Sequence, residues 1–130
     1  PDRLPDLLRQ SDYVVLNCPL TDETRGLIDR TAFSQMKHSA YFINVARGAC
    51  VDEPALLEAL KSGQISGAAI DHFWDDPLLE DSPFWDMDNV IVTPHTGGET
   101  RMYEENVIDI LRENLDRLWR GEDALVNQIV

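Results

Sequence analysis

Residues 40–52 read AYFINVARGACVD. Tyr41 to Val45 is a short, almost wholly apolar run, the kind that fills a strand buried on both faces. It ends in Ala46-Arg47-Gly48. An arginine at the carboxyl end of a buried strand, followed at once by a glycine, is an unusual place for a solvated charge. In open α/β sheets that end of the strands is where ligands bind. A guanidinium there can hold a planar carboxylate through two parallel hydrogen bonds. The alternative is that Arg47 pairs with one of the chain's many acids.

Upstream of this stretch, Leu4, Leu7 and Leu8 suggest a helical turn or two, and Tyr13–Leu16 (YVVL) is a strand by its β-branched content. That strand stops at Asn17-Cys18-Pro19-Leu20, and residues 21–25 form a loop and a helix start. Residues 30–37 predict a short helix with Phe33 and Met36 inward, and His38-Ser39 turns into the central strand. Downstream, Asp52 can cap a helix with Pro54 in its first turn and residues 55–61 as its body, stopping at Gly63. Residues 65–70 (ISGAAI) are a third strand leading to Asp71, and 75–88 a long acidic loop. Residues 89–93 (NVIVT) are a fourth strand, closed by Pro94-His95-Thr96-Gly97-Gly98. From Glu99 to about Arg120 apolar residues recur at three- and four-residue spacing, predicting a long helix that Gly121 ends.

Strands alternating with helices imply an α/β fold with a parallel sheet and right-handed crossovers, here of about four strands. No Gly-x-Gly-x-x-Gly follows any of the strands, so the phosphate-cradling turn of a dinucleotide site is missing. The chain thus reads as the second half of something larger, with 99–121 a long terminal helix.

The chain has 130 residues, 43% hydrophobic and 27% charged, enough for one soluble domain with a proper core. Its formal net charge of −13 argues against nucleic acid or an anionic membrane as partner. It says little about a small anionic substrate, because one local arginine can outweigh a diffuse field. Cys18 and Cys50 fit no metal spacing and sit at the edges of apolar runs, as free, partly buried thiols in a reducing compartment would. With no secretory signal and no run long enough to cross a bilayer, the expected location is cytoplasmic.

The last three strands end in Arg47, in Asp71 with Asp75 and Asp76 just beyond, and in His95. Parallel strands bring their carboxyl ends to one edge, so these residues should converge. A carboxylate holder, a proton carrier and an acid partner are what a keto-acid reductase needs. Hydride addition to a carbonyl leaves an alkoxide, so a positioned proton donor lowers the barrier. A carboxylate beside an imidazole favours its charged form.

The order of motifs resembles the carboxyl-terminal part of the D-isomer-specific 2-hydroxyacid dehydrogenases. The residues that carry the likeness are Cys18-Pro19-Leu20-Thr21, Glu23-Thr24-Arg25-Gly26-Leu27-Ile28, Asn44-Val45-Ala46-Arg47-Gly48, Gly67-Ala68-Ala69-Ile70-Asp71, Pro77-Leu78 and Thr93-Pro94-His95-Thr96-Gly97-Gly98. The resemblance implies that residues 1–130 are the second half of a Rossmann-type, doubly wound nucleotide-binding domain, with NAD or NADP as cofactor and a small 2-keto or 2-hydroxy acid as substrate. Arg47 would bind the substrate carboxylate, and His95 would carry the proton with Asp76 as its acid. Cys18, Pro19 and Thr24 would lie against the ribose and diphosphate side of the cofactor. Val45, Ala46, Arg47, Asp71 and His95 would meet the nicotinamide end, where Asp71 accepts from the carboxamide and Gly98 comes close to the ring.

Two departures stand out. The family's Asp-Val-Phe-x-x-Glu-Pro-Leu is here Asp71-His72-Phe73-Trp74-Asp75-Asp76-Pro77-Leu78. Asp76 is one methylene shorter than the usual glutamate, and His72 stands where a small apolar residue is usual. The resemblance also puts the glycine-rich turn, the adenine-ribose acid and the substrate domain upstream of Pro1, which leads to the expectation of an inactive, self-associating piece of a homodimeric enzyme.

Alternatives bound the reading. A cofactor-binding regulatory module could keep the same residues without turnover. Asp71, His72, Asp75, Asp76 and His95 could ligate a metal in a hydrolase, but no short histidine spacing supports a metal site. His38 reads as a solvated turn residue. Trp74 and Trp85 either cover the sheet end, line the mouth of the site or fill the core.

Overall fold

Four parallel strands stand side by side in chain order: β1 (Tyr13–Leu16), β2 (Tyr41–Asn44), β3 (Gly67–Ile70) and β4 (Val90–Val92). This is a computed structural model, and it describes residues 3–128. Val14, Phe42, Ala68 and Val90 lie in one cross-strand row, and Leu16, Asn44, Ile70 and Val92 in another. These rows face the helices α1 (Leu4–Gln10), α2 (Arg30–Gln35) and α3 (Glu53–Lys61). Leu8, Phe33, Leu56, Leu60 and Ile65 meet the strands there in one buried cluster. Phe33 packs edge-on against Phe42 with ring centres 5.4 Å apart.

β2 departs from the expectation of burial on both faces. Phe42 and Asn44 are buried, but Tyr41 is 45% exposed and Ile43 half-buried. The cause is topological. Each crossover joins a strand to its immediate neighbour in the same direction, and right-handed crossovers then put every helix on one side. The other side carries Tyr13 stacked on Tyr41, with Val15 and Ile91 exposed.

Local chemistry explains the helix starts. The Asp29 carboxylate accepts from the Ala32 amide at 2.8 Å, and that of Asp52 from the Ala55 amide at 3.1 Å. Each such cap is worth about 1 kcal/mol. Element ends differ from the sequence reading by a few residues. The Gln64 and Ile65 amides turn back to the Ala59 carbonyl, so β3 begins only at Gly67. Met36 is already extended, which ends α2 at Gln35. Within the acidic loop, Pro83–Asp86 makes a 3-10 turn that buries Phe84 against Phe73.

The chain divides into two compact units, Pro1–Gly97 and Gly98–Val130. The second is built on α4 (Tyr103–Trp119), shorter than the expected 99–120 because no side chain caps its start and Arg120 closes its end. Asn114 pins the following tail by accepting from the Val126 amide at 2.7 Å and donating to the Val126 carbonyl at 3.1 Å. Val107, Leu111, Leu115 and Leu118 of α4 are each about half exposed. No helix among the described residues is long and apolar enough to cross a membrane.

Candidate active site

The carboxyl ends of β2, β3 and β4 meet at one edge, and Asn44 begins the construction there. Its side chain is buried, accepts from the Ala46 amide at 3.0 Å and donates to the His72 carbonyl at 3.0 Å. The turn after β2 is thereby tied to the chain leaving β3. Gly48 lets the two come close: a Cβ there would sit 1.9 Å from the Phe73 carbonyl oxygen. Side by side, Arg47 and His72 then face each other, with Nη1 to Nε2 at 3.4 Å. Arg47 Nη1 also donates to the Ala46 carbonyl at 2.6 Å. Among the described residues Arg47 pairs with no acid, unlike the alternative open at the sequence level.

Asp71 holds the turn that carries His95. Its carboxylate accepts from the Thr93 hydroxyl at 2.5 Å, the Thr96 amide at 2.9 Å and the Gly97 amide at 2.9 Å. Burial alone would raise the Asp71 carboxyl, but the donors from Thr93, Gly97 and Thr96, with His72 beside it, bring it below its ordinary value. Gly97 belongs to this arrangement, since a Cβ on it would come 2.9 Å from Asp71 Oδ2. The turn sets His95 at φ 57°, in the left-handed region that few residues other than glycine adopt.

His95 Nδ1 lies 2.6 Å from Asp76 Oδ2, both side chains about half exposed. The shorter carboxylate therefore reaches the imidazole. On the other side the His72 ring packs against the His95 ring with centres 3.6 Å apart. Burial lowers the proton affinity of His72, and His95 and Arg47 beside it lower it further. His72, Asp76 and His95 offer donor atoms within 4.8 Å of one another, a grouping that spacing along the chain does not reveal. The Arg47 guanidinium against His72 opposes a cation there.

Two depressions border this centre. One of about 320 Å³ is lined by apolar side chains such as Phe73, Leu78 and Trp85 together with His95 and the carboxylates of Asp71, Asp75 and Asp76. A groove of about 500 Å³ runs along the ends of β1 and β2, lined by Cys18, Pro19, Val45, Ala46 and Arg47 among others. Thr24 lies outside that lining and organises the loop beneath, its hydroxyl donating to the Pro19 carbonyl at 2.7 Å. Gly98 belongs to the second unit. Cys18 and Cys50 are free thiols, and burial, then the neighbouring Cys50, pushes the Cys18 thiol up. His38 is an exposed turn residue. Trp74 donates its indole N–H to the Val51 carbonyl at 2.7 Å and stays half exposed, so it pins the 73–76 chain without filling the core.

Asn44 and Thr93 are the residues that sequence reasoning did not single out for a role. A polar side chain inside the apolar run 41–45 was the available signal for Asn44; nothing local marked Thr93.

The family model described as D-isomer specific 2-hydroxyacid dehydrogenase, NAD binding domain, matches residues 1–97. Glyoxylate/hydroxypyruvate reductase B of Enterobacter sp. (strain 638) is 47% identical over 118 residues, covering 91% of this chain and 36% of the relative. Glyoxylate reductase of Pyrococcus horikoshii is 44% identical over 129 residues, covering 98% of this chain and 38% of that protein. Among solved structures, a D-isomer specific 2-hydroxyacid dehydrogenase from Xanthobacter autotrophicus Py2, in complex with NADPH and MES, superposes with a TM-score of 0.88 at 43% identity. That likeness covers 99% of this chain and 52% of the other. The chain thus spans little more than a third of the length of these curated relatives.

Proposed function

Because the chain belongs to the D-isomer-specific 2-hydroxyacid dehydrogenase family, matching its NAD-binding domain, we propose that the protein carrying it reduces a small 2-keto acid to the D-2-hydroxy acid with NADH or NADPH. The observation that carries the reading is the His95–Asp76 pair at 2.6 Å, set on the same sheet edge as Arg47. Glyoxylate and hydroxypyruvate, which name the relatives, are the first substrates to test.

The residues present fit the nicotinamide end of the cofactor. Cys18, Pro19, Val45 and Ala46 line a groove beside Arg47, and Asp71 Oδ2 accepts only from Gly97 among the described residues, which leaves it a lone pair for an amide N–H. When bound, the cofactor supplies the hydride. Arg47 holds the substrate carboxylate with its Nε and Nη2 donors, which have no partner among the described residues. His95 gives its Nε2 proton to the oxygen that gains charge, while Asp76 accepts from Nδ1 and fixes the ring. The chemistry uses no metal. The exposed apolar face of the sheet supports a homodimer, the two free thiols a cytoplasmic setting, and the charge of −13 a protein without nucleic-acid or membrane partners.

The test is NAD(P)H consumption by the intact protein with glyoxylate, hydroxypyruvate and pyruvate. His95→Gln should lower kcat by about a hundredfold or more, and Arg47→Ala should raise KM for the acid. Cofactor binding without turnover on any of these acids would overturn the reading in favour of a regulatory cofactor-binding module.

A further inference from the structure

His72 is the buried group that this chemistry leaves unused. It is 6% exposed, and its backbone carbonyl is fixed by the Asn44 amide at 3.0 Å. The His95 ring closes one side, so the imidazole cannot swing away. Its Nε2 stands 3.4 Å from Arg47 Nη1 and 3.8 Å from Asp71 Oδ2. A guanidinium only donates, so the nitrogen facing it must present a lone pair, which puts the ring's proton on Nδ1. Arg47 Nη1 then lies between two acceptors, the Ala46 carbonyl and His72 Nε2, with its remaining donors turned to other tasks.

We propose that His72 is a positioning residue for Arg47, its neutral ring accepting from Nη1 and so fixing the plane in which the guanidinium meets the substrate carboxylate. This deepens the reductase reading and rests on Arg47 binding that carboxylate. The charged and titratable groups that face His72 are Arg47, Asp71, Asp76 and His95. Burial, with His95 and Arg47 beside it, favours the neutral ring that the geometry requires. A small apolar side chain in place of His72 would leave the guanidinium held by its own Ala46 carbonyl alone.

The experiment is steady-state kinetics of the intact protein with glyoxylate or hydroxypyruvate, together with titration of NADPH by fluorescence. Four variants are compared: His72→Val, His72→Gln, His72→Asn and Arg47→Ala. Gln can bring an acceptor to the place of Nε2, whereas the shorter Asn reaches only the place of Nδ1. His72→Val is expected to raise KM about tenfold, as loss of a hydrogen bond to a charged group does, with kcat and NADPH affinity little changed. His72→Gln should restore most of the wild-type KM and His72→Asn should not. An unchanged KM in His72→Val, a loss confined to kcat, or equal behaviour of the Gln and Asn variants overturns the proposal. If His72→Val fails to fold, seen as lost NADPH binding, the Gln and Asn pair decides. Arg47→Ala separates the two levels. If it raises KM while His72→Val does not, only the role of His72 falls; if it too leaves KM unmoved, the carboxylate assignment falls and the role of His72 with it.

Discussion

Asp76 tests the site at the scale of one methylene. Its Oδ2 lies 2.6 Å from His95 Nδ1, so the carboxylate can accept from that nitrogen and orient the ring. Asp76→Asn keeps the shape and removes the charge. Without a carboxylate to hold Nδ1–H and the ring's orientation, keto-acid reduction should slow, read as a lower kcat with little change in KM. Asp76→Glu should be neutral or mildly improving. Matched kcat measurements with Asp75→Asn check the assignment: if only the Asp75 change lowers kcat, Asp76 is not the partner. Asp71 makes a second prediction, on stability. Its carboxyl sits below the ordinary value in the folded state, so its contribution is complete above about pH 4, the unfolded value. It is lost as pH falls through the folded value, because the unfolded chain then binds the proton more readily. Asp71→Asn cannot accept from Thr93, Thr96 and Gly97 as a carboxylate does. It should cost about 2 kcal/mol near neutral pH, with the difference from wild type shrinking in acid; melts at several pH values measure this. That Arg47, Asp76 and His95 lie near one sheet edge was legible in the sequence, because each follows a strand and parallel strands bring such residues together; the choice of Asp76 over Asp75 came from the family motif. The roles of Asn44, Thr93 and His72 were not, because each depends on which atoms the β2–β3–β4 register sets opposite one another.

At the scale of elements, the meeting of the β2 turn with the chain after β3 depends on Gly48. A Cβ at that position would lie 1.9 Å from the Phe73 oxygen and 2.0 Å from its carbonyl carbon, both backbone atoms that no rotamer change can move. Gly48→Ala must therefore push the two chains apart, separating Arg47 from His72. The expected cost is about 2 kcal/mol, read as a lower melting temperature, together with a raised KM for the keto acid. A wild-type melt and KM would show that the two chains are not in tight contact at Gly48. The type and order of the elements were plain in the sequence, since β-branched runs, acidic caps and apolar spacing are local signals. Their ends were less plain. β3 starts late because amides of residues 64 and 65 complete the turn after α3, and α4 starts late because no residue near 99–102 offers a side-chain cap. The expectation that β2 is buried on both sides failed for a reason no local run can show: the helices of the first unit all lie on one side of the sheet.

At the scale of the whole molecule, apolar side chains stand exposed in both units. Tyr13, Val15, Tyr41 and Ile91 are exposed on the open face of the sheet, and β1 and β4 are edge strands. Separately, Val107, Leu111, Leu115 and Leu118 form a half-exposed stripe on α4. Contiguous apolar surface and unpaired strand edges both invite contact with another chain. The net charge of −13 opposes association through diffuse repulsion, but at about 0.15 M salt that field is screened beyond about 8 Å. Burial over a sheet face, at about 25 cal/mol per Å² of apolar area, outweighs it. The 130-residue chain on its own should therefore form a dimer or a larger species. It should also fail to turn over glyoxylate, because its sequence holds no glycine-rich turn to grip the diphosphate. Sedimentation across a range of concentrations gives the mass, and added salt should strengthen the association rather than weaken it. Val15→Lys with Ile91→Lys places two charges on the open face and should shift the distribution towards monomer, with little effect on the buried core on the other side of the sheet. A clean monomer with a cooperative melt in the unmodified chain would show that the open face is tolerated by solvent and does not drive association.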